Sequence, residues 1–257
     1  MLQALETLLQ TDLQQALGER AALTVGAVAP APQAGKAAVW LNAASLDTDP
    51  GDDPGRVGRG SAHLLRSQTL TPIARQPGNF ALPAGQTVVD VQAPPGRLLN
   101  PADHYTQDGA TLRFLTPPPS PVLARLRGER ARGYVERMPA RGELLLSAWA
   151  ESGPAAAALL GDALGSVLAR LSEIDVVELV TPGAGPLAMR LYRPAAWLAR
   201  LENSSVRLGN RDWLVAAAHI GLRGEIELAL AVGTPEPTSL IERIEATAQV
   251  VPARQPD

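Results

Sequence analysis

Cysteine is absent from the 257 residues. Disulfides, thiolate metal sites and cysteine nucleophiles are therefore excluded. Lysine is almost absent too: Lys36 is the only one, so arginine carries the positive charge. The planar guanidinium fork pairs with carboxylates bidentately and suits contact surfaces, although codon usage in a GC-rich genome gives the same composition. Aromatic residues make up only 4% of the chain, so a core must be built from Leu, Val, Ala and Ile. A basic excess is missing as well. The formal net charge is −3 and the pI about 5.7, which argues against a general nucleic-acid binder with its broad basic surface. No apolar run reaches the ~18 residues that suggest a membrane span. The opening "MLQALETLLQTDLQQALGER" carries acids and no early basic cluster, unlike a signal peptide. A soluble protein, cytoplasmic at synthesis, is the expectation.

Hydrophobic residues make up 46% of the chain and charged residues 19%, enough to bury a real core in one large domain or two modest ones. Leu2, Leu5, Leu8, Leu9, Leu13, Ala16 and Leu17 share one helical face, which predicts a helix over 2–17 stopped by Gly18. Two strand candidates follow, "ALTVGAV" (22–28) and "KAAVWLNAASL" (36–46), read as an antiparallel pair. "DTDPGDDPGRVGRGS" (47–61) is acidic and turn-rich and reads as a flexible linker. Asp47, Asp49, Asp52 and Asp53 suggest a calcium loop, but Pro50 and Pro54 break the spacing and no distal Glu follows.

A β-rich unit comes next. "NFALP" (79–83) and "QTVVDVQA" (86–93) are short strands. Asp108-Gly109 in "DHYTQDGATLRFL" marks a tight hairpin, with Thr111 and Arg113 on one side and Leu112 and Phe114 on the other. "TPPPSP" cannot stay in a ladder, because proline has no N–H to donate. Residues 122–141 hold Arg125, Arg127, Arg130, Arg132, Arg137 and Arg141 against Glu129 and Glu136. This reads either as a solvated strand face or as a contact strip for an acidic neighbour. The strand candidate "ELLLSAWAES" then leads into a long apolar helix, "AAAALLGDALGSVLARLSEI", with Ser152 as cap and Pro154 in its first turn. Further short strands are expected at 175–181, 186–193, 194–202, 211–222 and 224–233, and "TSLIERIEATAQVV" (238–251) reads as strand or helix.

Catalytic signatures are missing. His63, His104 and His219 are in no metal-binding spacing. His219, within "VAAAHIGL", reads as a satisfied, partly buried histidine. Ser166 falls mid-helix and Ser61 in the linker, so neither sits on the strained turn a nucleophile needs. "GRVGRGS" and "TPGAGP" (181–186) have glycines without the rest of a phosphate cradle. Glu225 and Glu227 alternate with apolar residues, as on a half-exposed strand. Neither an enzyme, a cofactor nor a metal is expected.

In its order "FALPAGQTVVDV", "ADHYTQDGATLRF", "PPP", the middle of the chain resembles small β-modules of bacteriophage structural proteins. The flanks, above all "GELLLSAWAESGPAAAALLGDALGSVLARL", resemble tail terminator or cap proteins of contractile phage tails and contractile injection systems. The resemblance implies a non-enzymatic structural subunit that forms a ring, commonly a hexamer, at the end of a tail tube. The implied partners are like copies and tube and sheath subunits, within a phage-like particle. The alternative is a baseplate-adjacent adaptor or a carbohydrate- or protein-binding module. The expected fold is α+β: a mixed core of sheet and two main helices from residues 1–60 and 136–257, interrupted by a small β-sandwich-like insert at 61–135. Arg125, Arg127, Arg130, Arg132 and Arg137 are the candidate partner-interface residues.

Overall fold

The computed structural model describes residues 2–30, 32–33, 35–48, 58–119, 121–180 and 187–231, with backbone alone at 58–64, 128–134 and 231. In chain order the elements are α1 (Gln3–Leu17), β1 (Ala21–Val25), β2 (Ala37–Thr48), β3 (Gly58–Leu70), β4 (Pro72–Ile73), β5 (Gln76–Ala81) and β6 (Thr87–Gln92). There follow α2 (Pro101–His104), β7 (Tyr105–Asp108), β8 (Thr111–Phe114), β9 (Val122–Ala150), α3 (Gly153–Glu173), β10 (Val176–Val180), β11 (Leu187–Leu208) and β12 (Arg211–Ala231). Most of the 47–61 linker, the "TPGAGP" turn and the 238–251 segment lie outside the described residues.

β9 is the spine of a curled eight-stranded sheet ordered β1-β2-β9-β12-β11-β10, with β3 and β6 also paired to β9. A second sheet runs β4-β5-β8-β7. Strand accounts for 58% of the structure and helix for 20%. This corrects the α+β expectation: the chain is mainly β. The reason lies in strand length. The Arg-rich stretch and "ELLLSAWA" fuse into the 29 residues of β9. The breaks expected at Pro194 and Gly224 are traversed, giving β11 of 22 residues and β12 of 21. A register shift between Tyr192 and Ala195 absorbs the proline. The middle of the chain has a core of its own, running from Leu70 to Leu126, yet it shares strands with the rest of the molecule. β3, β6 and the start of β9 belong to the large sheet, and the boundaries drawn at 60/61 and 135/136 fall inside β3 and β9.

The locally coded elements match their sequence patterns. In α1, Leu5, Leu9, Leu13 and Leu17 recur every fourth residue and are buried, each contributing about 1.5–3 kcal/mol. Gly18 ends the helix at φ 55°, a conformation that glycine adopts without strain. Ser152 Oγ accepts a hydrogen bond from Ala155 N–H and Pro154 occupies the first turn of α3. Asp108 pairs with Thr111 across the tight turn, and Leu112 and Phe114 point inward. One pairing differs. β1 and β2 are parallel, Ala21 against Ala37, not antiparallel. The connection 26–36 can span about 35 Å when extended, about twice the length of β1, so it can return the chain to the same end.

α1 and α3 cover one face of the large sheet. Their leucines meet Val39, Leu41, Leu144, Leu146, Ile220 and Leu222 in the first core. α3 also has the length and composition to cross a membrane, with mean hydropathy 1.3. Asp162, Ser166 and Arg170 break its apolar run without lowering the mean much. Its Ala156, Leu159, Leu160, Ala163, Val167 and Leu171 are buried against the sheet. A second core joins the small sheet to β3, β6 and the start of β9 through Phe80, Tyr105, Leu112, Phe114, Ala124 and Leu126. Trp149, Trp213 and Val215 make a third cluster, on the helix-free face of the large sheet.

Candidate functional site

A row of charges crosses the helix-free face. Arg137 on β9, Glu227 on β12, Arg190 on β11 and Glu178 on β10 are directly in register. Their signs alternate, the favourable cross-strand arrangement. The curl of β9 adds another layer. Residues 125 and 137 of a straight strand would stand roughly 40 Å apart, yet both side chains reach Glu227. Arg125 Nη1 is 3.0 Å from Glu227 Oε1, while Arg137 Nε and Nη2 donate to Oε2 at 2.9 and 2.7 Å.

Arg190, wholly buried, donates from Nη1 to Asp90 Oδ2 of β6 at 2.5 Å and from Nη2 to Glu178. Gln92 Nε2 donates to Glu178 Oε1 at 3.3 Å. Tyr192 Oη accepts from Arg125 and Arg190, and the Arg137 guanidinium stacks 5.1 Å from the Tyr192 ring centre. Three arginines thus face Asp90, Glu178 and Glu227, and the layer is formally neutral. It lies between the first and second cores.

Burial works against the charge on Arg190, but the hydrogen bonds to Asp90 and Glu178 outweigh it and hold its pKa above the ordinary arginine value. Burial likewise raises Glu227, and the bonds from Arg137 and Arg125 overcome that, so its carboxyl lies below the usual range. The balance is delicate, because desolvating ion pairs costs several kcal/mol per ion, of the order of their attraction. Arg125 Nε, Arg190 Nε and Glu178 Oε2 are buried without hydrogen-bond partners among the described residues.

Next to this layer opens a cleft of about 460 Å³, lined among others by Leu99, Asn100, Arg137, Asp175, Tyr192 and Arg193. Arg193 stands at φ 47°, where side chains are strained, and its N–H donates to Asp175 O at 2.8 Å. On the same sheet face, His219 of β12 lies between Glu143 of β9 and Glu202 of β11, its Nδ1 on Glu143 and its Nε2 on Glu202. The bond with Glu143 is the main reason its pKa is raised. Arg200 pairs with Glu202 at 2.8 Å. No group of three or more potential metal ligands occurs among the described residues.

The structure divides the predicted arginine strip. Arg125 is buried in the ionic layer and Arg137 lies at the edge of the cleft. Arg127 is exposed. Arg130 and Arg132 are in β9, their side chains outside the described residues. Sequence reading overlooked Asp90, Glu178 and Arg190, and placed Glu227 on a half-exposed face. A signal existed: "VVELV", "AMRLY" and "IELAL" each hold one charge amid apolar neighbours, with opposite signs on adjoining strands. His219 is partly buried and satisfied, as expected. Phe80, Tyr105 and Phe114 pack together inside the second core, with Phe80 and Phe114 edge to face at 5.2 Å. Burial and the Asp90 charge push the Tyr105 hydroxyl up to about 12.

No protein-family model matches this chain, and no curated protein matches it.

Proposed function

We propose that this chain is a non-enzymatic structural subunit that assembles with copies of itself into a ring capping or terminating a phage-like tail tube. The observation that carries the reading is the outer half of β11. β10 covers β11 only as far as Tyr192. Beyond it, Ala195–Leu208 bond to β12 on one side and, among the described residues, to nothing on the other. Trp197, Leu198, Leu201 and Leu208 stand exposed there. A long, open strand edge that exposes a tryptophan and three leucines between its charged residues is an association surface. The resemblance of the strand–helix segment 142–171 to tail terminators supplies the tail context. The aromatics of the small sheet, which a carbohydrate-gripping module would present to solvent, are buried.

Sedimentation velocity over a range of concentrations, combined with electron microscopy of contractile-tail tubes incubated with the protein, tests the reading. A discrete ring mass, or rings seated on tube ends, is expected. Monomers at every concentration together with bare tube ends would sink it.

A further inference from the structure

We infer that the ring is closed by the large sheet itself: the open edge of β11 in one copy pairs antiparallel with the open edge of β1 in the next. This rests on the ring reading above and adds the contact that makes it.

The register across the sheet supports the pairing. Val25 of β1 is level with Leu41, Leu146, Ala218 and Leu201 on the successive strands β2, β9, β12 and β11. Ala22 is likewise level with Ala38, Trp149, Val215 and Ser204. The two open edges, Ala22–Val25 and Leu201–Ser204, therefore lie at one height on opposite sides of the same sheet. No backbone group of the described residues bonds to the outer edge of either.

Polarity fits too. β1 runs parallel to β2, and each later neighbour is antiparallel to the one before. β11 therefore runs opposite to β1, and a continued sheet joins them in the antiparallel sense, the slightly more stable one. The parallel β1–β2 pair creates this match; an antiparallel pair would have reversed it. Unstaggered continuation sets Leu201, 58% exposed, beside Val25 of the next copy. It also brings Arg207 towards Glu19 of that copy. Both are exposed, and neither has an ion pair among the described residues. The contact joins two different patches, so it is head to tail, and a rotation that closes makes a ring.

The lack of native cysteine makes cross-linking clean. Val25→Cys and Leu201→Cys are prepared as single variants of the full chain, and Leu23→Cys and Asn203→Cys as a second pair. Under oxidising conditions a disulfide-linked dimer is expected when the members of a pair are mixed, and is expected to be missing from either alone. The variant carrying both Val25→Cys and Leu201→Cys should give a ladder ending at the ring number. Leu201→Lys, an exposed change that keeps the fold, should lose the ring mass in sedimentation with an unchanged circular dichroism spectrum. Leu201→Cys dimerising with itself as well as with Val25→Cys would overturn the inference in favour of a two-fold contact. Rings that form with no cross-link in either mixture, or that survive Leu201→Lys, would overturn it and leave the ring reading standing. Monomers in solution together with bare tube ends would remove both.

Discussion

Arg190 has no contact with solvent, and its charge persists there only because Asp90 and Glu178 hold it from two strands. His219 depends on its neighbours in a milder way. It faces Glu143 and Glu202, with Arg200 alongside. Its folded pKa lies above the ordinary 6.5. The protonated ring therefore stabilises the fold fully below the unfolded value, and that contribution is lost as pH rises through the folded one. Urea unfolding midpoints should fall as the pH is raised from about 5.5 to about 9, with a shallower fall in His219→Gln. Equal pH slopes for parent and variant would contradict this arrangement. The partial burial of His219 was legible from its apolar run. Its two carboxylate partners were not, since Glu143 and Glu202 come from other strands and meet it only through register.

At the scale of elements, close approach of backbones decides which glycines matter. A Cβ on Gly142 would stand 2.6 Å from the Ser45 carbonyl oxygen, where β2 bulges against β9. Backbone cannot step aside as a side-chain tip can, so Gly142→Ala should destabilise by about 1–3 kcal/mol. Gly161 lies in α3 with nothing within 4 Å of an added Cβ. Gly161→Ala should stabilise by about 0.5–1 kcal/mol through backbone entropy. Thermal denaturation of both variants checks the contrast. α1 and α3 were readable because caps, helical periodicity and terminal glycine act within a few residues of one another. The long strands were not. Arg193-Pro194 and Arg223-Gly224 are local stop signals that sheet pairing overrides, with hydrogen bonds to neighbours far away in sequence.

For the molecule as a whole, β9 is shared property: Ala124 and Leu126 belong to the second core, and Leu144, Leu146 and Ala148 to the first. The ionic layer lies between them, and Glu227 is its anchor, holding Arg125 and Arg137 at once. Glu227→Gln leaves Arg125 buried without its counter-charge and should cost about 3–5 kcal/mol. The carboxyl is held below its usual range, so its contribution is present above the unfolded pKa and is lost as pH falls through the folded one. The deficit of Glu227→Gln should therefore be full at neutral pH and shrink in acid. Because β9 runs through both cores, tryptophan fluorescence and far-UV dichroism should report the same unfolding midpoint. Separate midpoints would show two independently folding bodies.

By itself the amino-acid order determined what depends on neighbours along the chain: two amphipathic helices with their caps, a tight hairpin at Asp108-Gly109, and apolar runs able to form strands. It also settled the lack of thiol chemistry. Tertiary structure alone decided that those runs join into three very long strands, that β1 lies parallel to β2, and that Arg125 and Arg137 meet on one carboxylate. The physical reason is range. Helix and turn preferences act over three or four residues, whereas strand length, pairing direction and the partner of a buried charge are set by residues far apart in sequence, brought together only once the sheet has curled.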